Sequence, residues 1–230
     1  MSVALIALLL FALFVLLIVL GIPIGFSLGI SGFIGLLATD QNLMMFAQTF
    51  LSGIMNFAYL AIPFFVLLGI VMERAKISKS LVAFGDELVG YMTGGLAMGT
   101  IVACAIFAAI SGSGPATVAA IGTVAIPEMV SKGYSQRFAT AATAAGGILG
   151  PIIPPSIPFI IYGVVAEVSI AKLFLGGLGA GLLLAVLMMI LSFIKAKIEK
   201  VPVSEGGPSL KGIFRAMWRA KLALIAPGIV

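Results

Sequence analysis

Two short clusters in this 230-residue chain combine residue types that can do chemistry. One is Ser111-Gly112-Ser113-Gly114-Pro115. The other is Gly150-Pro151-Ile152-Ile153-Pro154-Pro155-Ser156-Ile157-Pro158. Glycine and proline break helices, and four prolines in eight residues cannot sit in one continuous helix, because each removes an N–H and clashes with the preceding turn. A helix that restarts at Pro115, a favoured first helical position, aims free N–H groups at the break and suits an anion. The helix before it aims free carbonyls at the same place and suits a cation. The hydroxyls of Ser111, Ser113 and Ser156, with nearby carbonyls, are the oxygen ligands that a hard cation prefers.

Composition removes the competing chemistries. There is no histidine, so a histidine base, a triad or a histidine metal site is excluded, and the single Cys104 rules out a disulfide framework or a thiolate cluster. A serine nucleophile at 111 or 113 would need a lysine base. The nearest is Lys132, outside the apolar run that holds both serines. Glu128 and Glu167 stand at run ends beside water, where they read as interfacial anchors rather than proton relays. We therefore expect no enzyme.

The elements that must position the two clusters follow from charge. Apolar residues make up 62% of the chain and mean hydropathy is +1.28, far from a soluble domain. The 21 charged residues leave long charge-free runs at 1–39, 41–72, 88–127, 138–166 and 173–194. A bilayer core of ~30 Å takes about 20 apolar residues per helix, so each run holds one or two crossings of an all-α polytopic membrane protein. Gly21-Ile22-Pro23 turns the first run into two helices, and 41–72 holds one more crossing. The apolar stretch that begins at the N-terminus continues to Ala38 without a basic n-region, unlike a cleavable signal. Run 88–127 is either two spans or a re-entrant hairpin, since both return the chain to the same side. Run 138–166, at 29 residues, is too short for two spans, so its prolines imply one crossing made of two half-helices with an unwound middle.

Parity then places 73–87, 128–137 and 195–221 on one side, with 12 of the 13 basic residues and only Lys172 opposite. The positive-inside rule makes that side cytoplasmic and puts the N-terminus outside. The net charge of +5 is thus a topology signal and not a nucleic-acid footprint. Two cytoplasmic stretches carry helical stripes suited to a membrane surface: Ile77, Leu81, Phe84, Leu88, Met92, and Leu210, Ile213, Phe214, Met217, Trp218. Pro202 to Pro208 reads as a flexible link before the second. The small-residue ridges Gly21-Gly25-Gly29 and Gly177-Gly181 predict close helix packing.

Several segments resemble the large membrane subunit of TRAP (tripartite ATP-independent periplasmic) transporters. They are Ser111 to Thr117, Ile126-Pro127-Glu128-Met129, Gly133-Tyr134 and Gly150 to Pro158, with Gly21-Ile22-Pro23-Ile24-Gly25 and Ile62-Pro63-Phe64-Phe65. Such subunits are similar to elevator-type sodium symporters and take organic acids from a periplasmic binding protein, beside a small four-helix membrane subunit. The resemblance implies scaffold helices over 1–72, a cytoplasmic amphipathic arm over 73–94, a re-entrant hairpin over 95–131 and a broken helix over 134–166. It further implies a transmembrane helix over 169–195, a link and second arm over 196–221, and the start of another helix over 222–230. Sodium would lie among Ser111, Gly112, Ser113, Gly150, Pro151, Pro154 and Ser156, with no other cofactor. The organic acid would lie near Ser113, Gly114, Pro115, Ala116, Thr117, Pro155 and Ser156. The family also has a second, inverted half, so the sequence reads as the N-terminal half of a larger inner-membrane protein of a bacterium or archaeon, in contact with membrane lipid. The other open reading is a channel-like protein, or an ion-coupled anion symporter that needs no binding protein.

Overall fold

The apolar runs become helices, and glycines, prolines and small polar caps decide where each one stops. The computed structural model describes residues 3–39, 42–75, 77–201, 210–221, 223 and 225. Among the described residues all regular structure is helical and no strand occurs. The expected link at 202–208 lies outside them, as does most of 222–230. The chain divides into two compact units, Met1–Asn56 and Phe57–Val230.

The first unit holds α1 (Val3–Val19), α2 (Ile24–Ala38) and α3 (Leu43–Ile54). The turn falls where Gly21-Ile22-Pro23 predicts it, with Pro23 flanking the start of α2. Asn42 caps α3 by accepting a hydrogen bond from the Met44 N–H at 2.9 Å. Helix α2 packs on α1 through Ser27, Ser31 and Gly35, its buried face, with Gly35 against the Leu10 side chain. The predicted ridge of Gly21, Gly25 and Gly29 meets open space instead. Helix α2 carries small residues on more than one face, and spacing alone cannot say which face takes the neighbour. The second ridge behaves as expected, as shown below.

The second unit opens with a 3₁₀ turn (Phe57–Leu60), followed by α4 (Ala61–Arg74), α5 (Ile77–Val89), α6 (Gly95–Ser111) and α7 (Gly114–Ser131). After these come α8 (Gln136–Gly147), α9 (Ile157–Val165), α10 (Ile170–Ile198) and α11 (Leu210–Arg219). Run 41–72, expected to hold one crossing, thus contains two helices, α3 and α4. Pro63 sits in the first turn of α4, where a missing N–H costs little. Helix α10 is 29 residues long, about 43 Å at 1.5 Å per residue, and by itself is long and apolar enough to cross a bilayer. Leu175, Leu182, Leu183 and Leu191 along it are exposed, a surface that suits lipid.

Helix α6 forms the centre of this unit, with α5, α7, α8 and α10 around it. Its Leu96, Ile101, Phe107 and Ile110 are almost fully buried, together with Leu81 and Val82 of α5, Ile121 of α7 and Leu149 beyond α8. Helices α5 and α6 touch backbone to backbone. A Cβ on Gly99 would lie 2.6 Å from the Gly85 carbonyl carbon and 2.8 Å from the Asp86 nitrogen. Leu81, Val82 and Phe84 therefore bury against protein, whereas Phe214, Met217 and Trp218 of α11 remain exposed. The same type of apolar stripe is covered in one arm, while in the other, among the described residues, only Ile213 packs on the core.

Candidate functional site at two helix breaks

The first break is the joint between α6 and α7. Helix α6 ends at Gly112, whose φ of +59° is the left-handed conformation that glycine adopts without penalty. Of the two glycines in the cluster, Gly112 is the one in the left-handed conformation. Ser113 is extended and precedes α7, with Pro115 in its first turn as predicted. Ser111 and Thr117 are buried and join through their hydroxyls at 3.1 Å. Thr117 Oγ1 also donates to the Ser113 carbonyl at 2.8 Å. These bonds close the turn on itself and give α7 a fixed starting point.

The second break runs from Ile148 to Ser156, between α8 and α9. The Pro154–Pro155 peptide is cis. Ser156, fully buried, donates from Oγ to the Pro151 carbonyl at 2.6 Å and accepts from the Phe159 N–H at 3.3 Å. It thus caps α9 and ties that helix to the start of the break. The sequence marks Ser156 as an oxygen ligand, and the structure adds this capping role. Pro158 falls in the first turn of α9, as Pro115 does in α7.

The two breaks lie against each other. Gly112 abuts the Pro155 carbonyl, with the Ile157 nitrogen 3.4 Å from where its Cβ would be. A Cβ on Gly150 would lie 2.6 Å from the Gly114 nitrogen and 2.7 Å from the Ser113 oxygen. One on Gly114 would lie 3.0 Å from the Gly147 oxygen and 3.5 Å from Pro151 Cδ. Of the residues named from sequence, Gly112, Ser113 and Gly114 thus meet Gly150, Pro151 and Pro155. Ser111, Thr117 and Ser156 stand one bond behind that contact. Ala116 is half-buried in the first turn of α7, and Pro115 there is exposed. Pro154 is half-buried within the second break.

Neighbouring helices hold this contact. Gly69 of α4 lies against the Ser111 Cα and Cβ, 3.5 Å from where its own Cβ would be. Gly146 packs on Cys104 of α6, and Gly147 on Val118 of α7. Gly177 of α10 receives the Ile152 carbonyl and the Phe159 ring, and Gly181 receives Ile153. The Gly177-Gly181 ridge therefore closes on the second break. Sequence reasoning did not single out Gly69, Gly146 or Gly147, although the adjacent glycines 146 and 147 just before the proline cluster were a usable signal.

The junction is a setting of neutral oxygens. Two helices, α7 and α9, start there and two, α6 and α8, end there, so free N–H and C=O ends converge. Among the described residues no group of three or more histidines, cysteines or acids is placed to hold a metal. What the junction offers is hydroxyl and carbonyl oxygen, the donor type that hard cations take.

The charged residues gather at the other ends of these helices. Lys132 Nζ lies 3.0 Å from Asp86 Oδ2 and 3.8 Å from Glu128 Oε1. Ser135 caps α8 and donates to Glu199 Oε2 at 2.9 Å, while Lys195 meets Glu199 at 3.1 Å. Hydrogen bonds from Ser135 and Lys195 hold the Glu199 carboxyl below the usual carboxylate range. Segments that charge parity assigns to one side, around 86, 132, 137 and 199, are thus neighbours.

Residues 11–230 match the family described as the tripartite ATP-independent periplasmic transporter, DctM component. The chain is 43% identical over 96% of its length to the isethionate TRAP transporter permease protein DctMQ of Oleidesulfovibrio alaskensis, covering 35% of that protein. It is 39% identical over 96% of its length to the C4-dicarboxylate TRAP transporter large permease protein DctM of Vibrio cholerae, covering 50%. To the sialic acid TRAP transporter large permease protein SiaM of the same organism it is 38% identical over 91% of its length, covering 49%. The chain thus spans between about a third and a half of the length of these relatives.

Proposed function

The chain belongs to the DctM family of tripartite ATP-independent periplasmic transporters, and from that premise we propose that it is part of a membrane permease that imports organic anions delivered by a binding protein. The observation that carries the reading is the contact of the two breaks. Helix α8, with 12 residues, extends about 18 Å to one side of the second break, and α9, with 9, about 13 Å to the other. Together they span about one bilayer core, and the break falls near its middle. The tip between α6 and α7 touches that break, so the α6–α7 pair reaches mid-membrane and returns. This favours the re-entrant hairpin over two full spans, and the α8–α9 pair as one broken crossing.

Paired breaks at the midplane are how secondary transporters build sites without buried charge. Helix ends at α7 and α9 suit the anion, and those at α6 and α8 suit a coupling cation. Ser111, Gly112, Ser113, Gly150, Pro151, Pro154 and Ser156 would hold sodium, whose charge would offset that of the substrate. Ser113, Gly114, Pro115, Ala116, Thr117, Pro155 and Ser156 would face the organic anion. The relatives' names span a sulfonate, dicarboxylates and a sugar acid, so the proposed class is small organic anions rather than carboxylates alone. A binding protein and a small membrane subunit complete the system, in an inner membrane with the N-terminus outside and a moving unit carrying the breaks. The name DctMQ, borne by one relative, fits a small partner subunit.

The test is sodium-driven uptake by the complete permease in proteoliposomes, with its binding protein. Ser113→Ala is the sharper variant, because Ser113 makes no side-chain cap bond and its loss reports on ligation. It should raise the sodium concentration for half-maximal uptake several-fold, whereas Thr123→Ala, away from the tip, should not. Unchanged sodium dependence in Ser113→Ala and Ser156→Ala would leave carbonyls as the ligands. Uptake indifferent to sodium would defeat the coupling reading. Uptake without any binding protein would favour the simpler symporter or channel.

A further inference from the structure

A cavity of about 470 Å³ opens between α8 and α10, running from their charged ends toward the second break. Its walls are Phe138, Ala141 and Ala145 of α8 with Met188 and Leu191 of α10, and its mouth is Arg137, Lys195 and Glu199. Arg137, Ala141 and Ala145 follow one another at four-residue steps, as do Met188, Ser192 and, after three, Lys195. The Ser135–Glu199 bond fixes the two helices as antiparallel neighbours, so both stripes grade from apolar to charged toward the same end.

The charge at that mouth is not balanced. Glu199 is bonded by Lys195 and Ser135 and also feels the charge of Arg137, which makes no direct ion pair among the described residues. Two cations and one committed acid leave a net positive rim over an apolar slot. A phosphate-sized anion, about five heavy atoms, would leave most of this space empty, since a water-sized group occupies about 30 Å³. An occupant that is anionic at one end and hydrocarbon along its length satisfies both parts.

We propose that this cavity is a binding site for one acidic phospholipid, with its headgroup phosphate on Arg137 and an acyl chain between α8 and α10. The arginine presents a forked donor to phosphate oxygens, and the alanines leave room for a chain that larger residues would fill. Basic pockets between transmembrane helices on the cytoplasmic side are suited to such headgroups. The proposal rests on these helices being membrane-embedded but not on transport, and it can stand or fall whatever the uptake assay gives.

The experiment is native mass spectrometry of the complete permease in detergent, titrated with phosphatidylglycerol or phosphatidylcholine, with glycerol 3-phosphate as competitor. Arg137→Gln should lower phosphatidylglycerol retention about fivefold, the loss of one cation near the surface, and leave phosphatidylcholine unchanged. Arg137→Lys should keep most of it. Ala141→Phe, at an exposed position, should reduce retention of both lipids, with a thermal melt confirming the fold. Lys200→Gln, an equal charge change outside the cavity, should alter neither. If Arg137→Gln behaves like Lys200→Gln, the headgroup assignment is overturned. If glycerol 3-phosphate displaces the lipid at equal concentration, the site takes a small anion instead. If no phosphatidylglycerol is retained, another part of the protein covers the cavity and the proposal fails.

Discussion

Gly112 is the residue on which the junction turns. Its φ of +59° disfavours any side chain, and the Pro155 carbonyl already occupies the place of a Cβ. Gly112→Ala should therefore separate the two breaks and lower the melting temperature of the detergent-solubilised protein by many degrees. Gly114→Ala should do less, because its Cβ would meet the Gly147 oxygen at 3.0 Å, a contact a few tenths of an ångström can relieve. Gly25→Ala, facing open space in α2, sets the baseline. If Gly112→Ala melts with Gly25→Ala, the observed contact is not the native one. Ser156→Ala loses the α9 cap, worth about 1 kcal/mol, so a stability loss will accompany any change in sodium dependence there.

At the scale of elements, helix contact depends on which small residues face each other. Gly85 and Gly99 let α5 and α6 meet at their backbones, and Gly99→Ala must push the helices apart. We expect a drop in melting temperature for Gly99→Ala and none for Gly176→Ala, whose position is open. Equal melts would show that α5 does not pack on α6 in solution. The joint between α8 and α10 has a pH signature. The Glu199 carboxyl is lowered by its bonds from Ser135 and Lys195, so it contributes stability above the ordinary carboxylate value of 4.5 and loses it as pH falls through the lowered value. Melting temperature measured from pH 7 to pH 3 should fall more steeply for wild type than for Glu199→Gln. Parallel curves would mean the bond is absent.

At the scale of the whole molecule, charge parity predicts which segments share a side of the membrane. Single cysteines at Lys79, Lys132 and Lys200 should react with an impermeant thiol reagent only from the cytoplasm, and one at Glu167 only from outside. Cys104 is fully buried and gives little background. External labelling at 132 would overturn the parity argument and the hairpin together.

The sequence alone determined that the chain is helical and which two clusters interrupt its helices, but not the stop between α3 and α4 inside run 41–72. Those are local consequences: a charge-free run has few alternatives to a helix, and clustered proline and glycine interrupt one where a lone Pro127 in α7 or Gly177 in α10 does not. It also carried the family, through the two motifs taken together. Tertiary structure decided what the period of a stripe leaves open. The stripes of α5 and α11 look alike in sequence, yet α5 is covered by α6 while Phe214 and Trp218 of α11 stay exposed. The ridges Gly21-Gly25-Gly29 and Gly177-Gly181 look alike too, yet among the described residues only the second has a neighbour. Most of all, the two breaks are some forty residues apart in the chain, and only the packing of α6, α7, α8 and α10 puts Gly112 against Pro155 and Gly150 against Ser113. Local spacing fixes which face of a helix is small or apolar, and the partner that covers it comes from elsewhere in the chain.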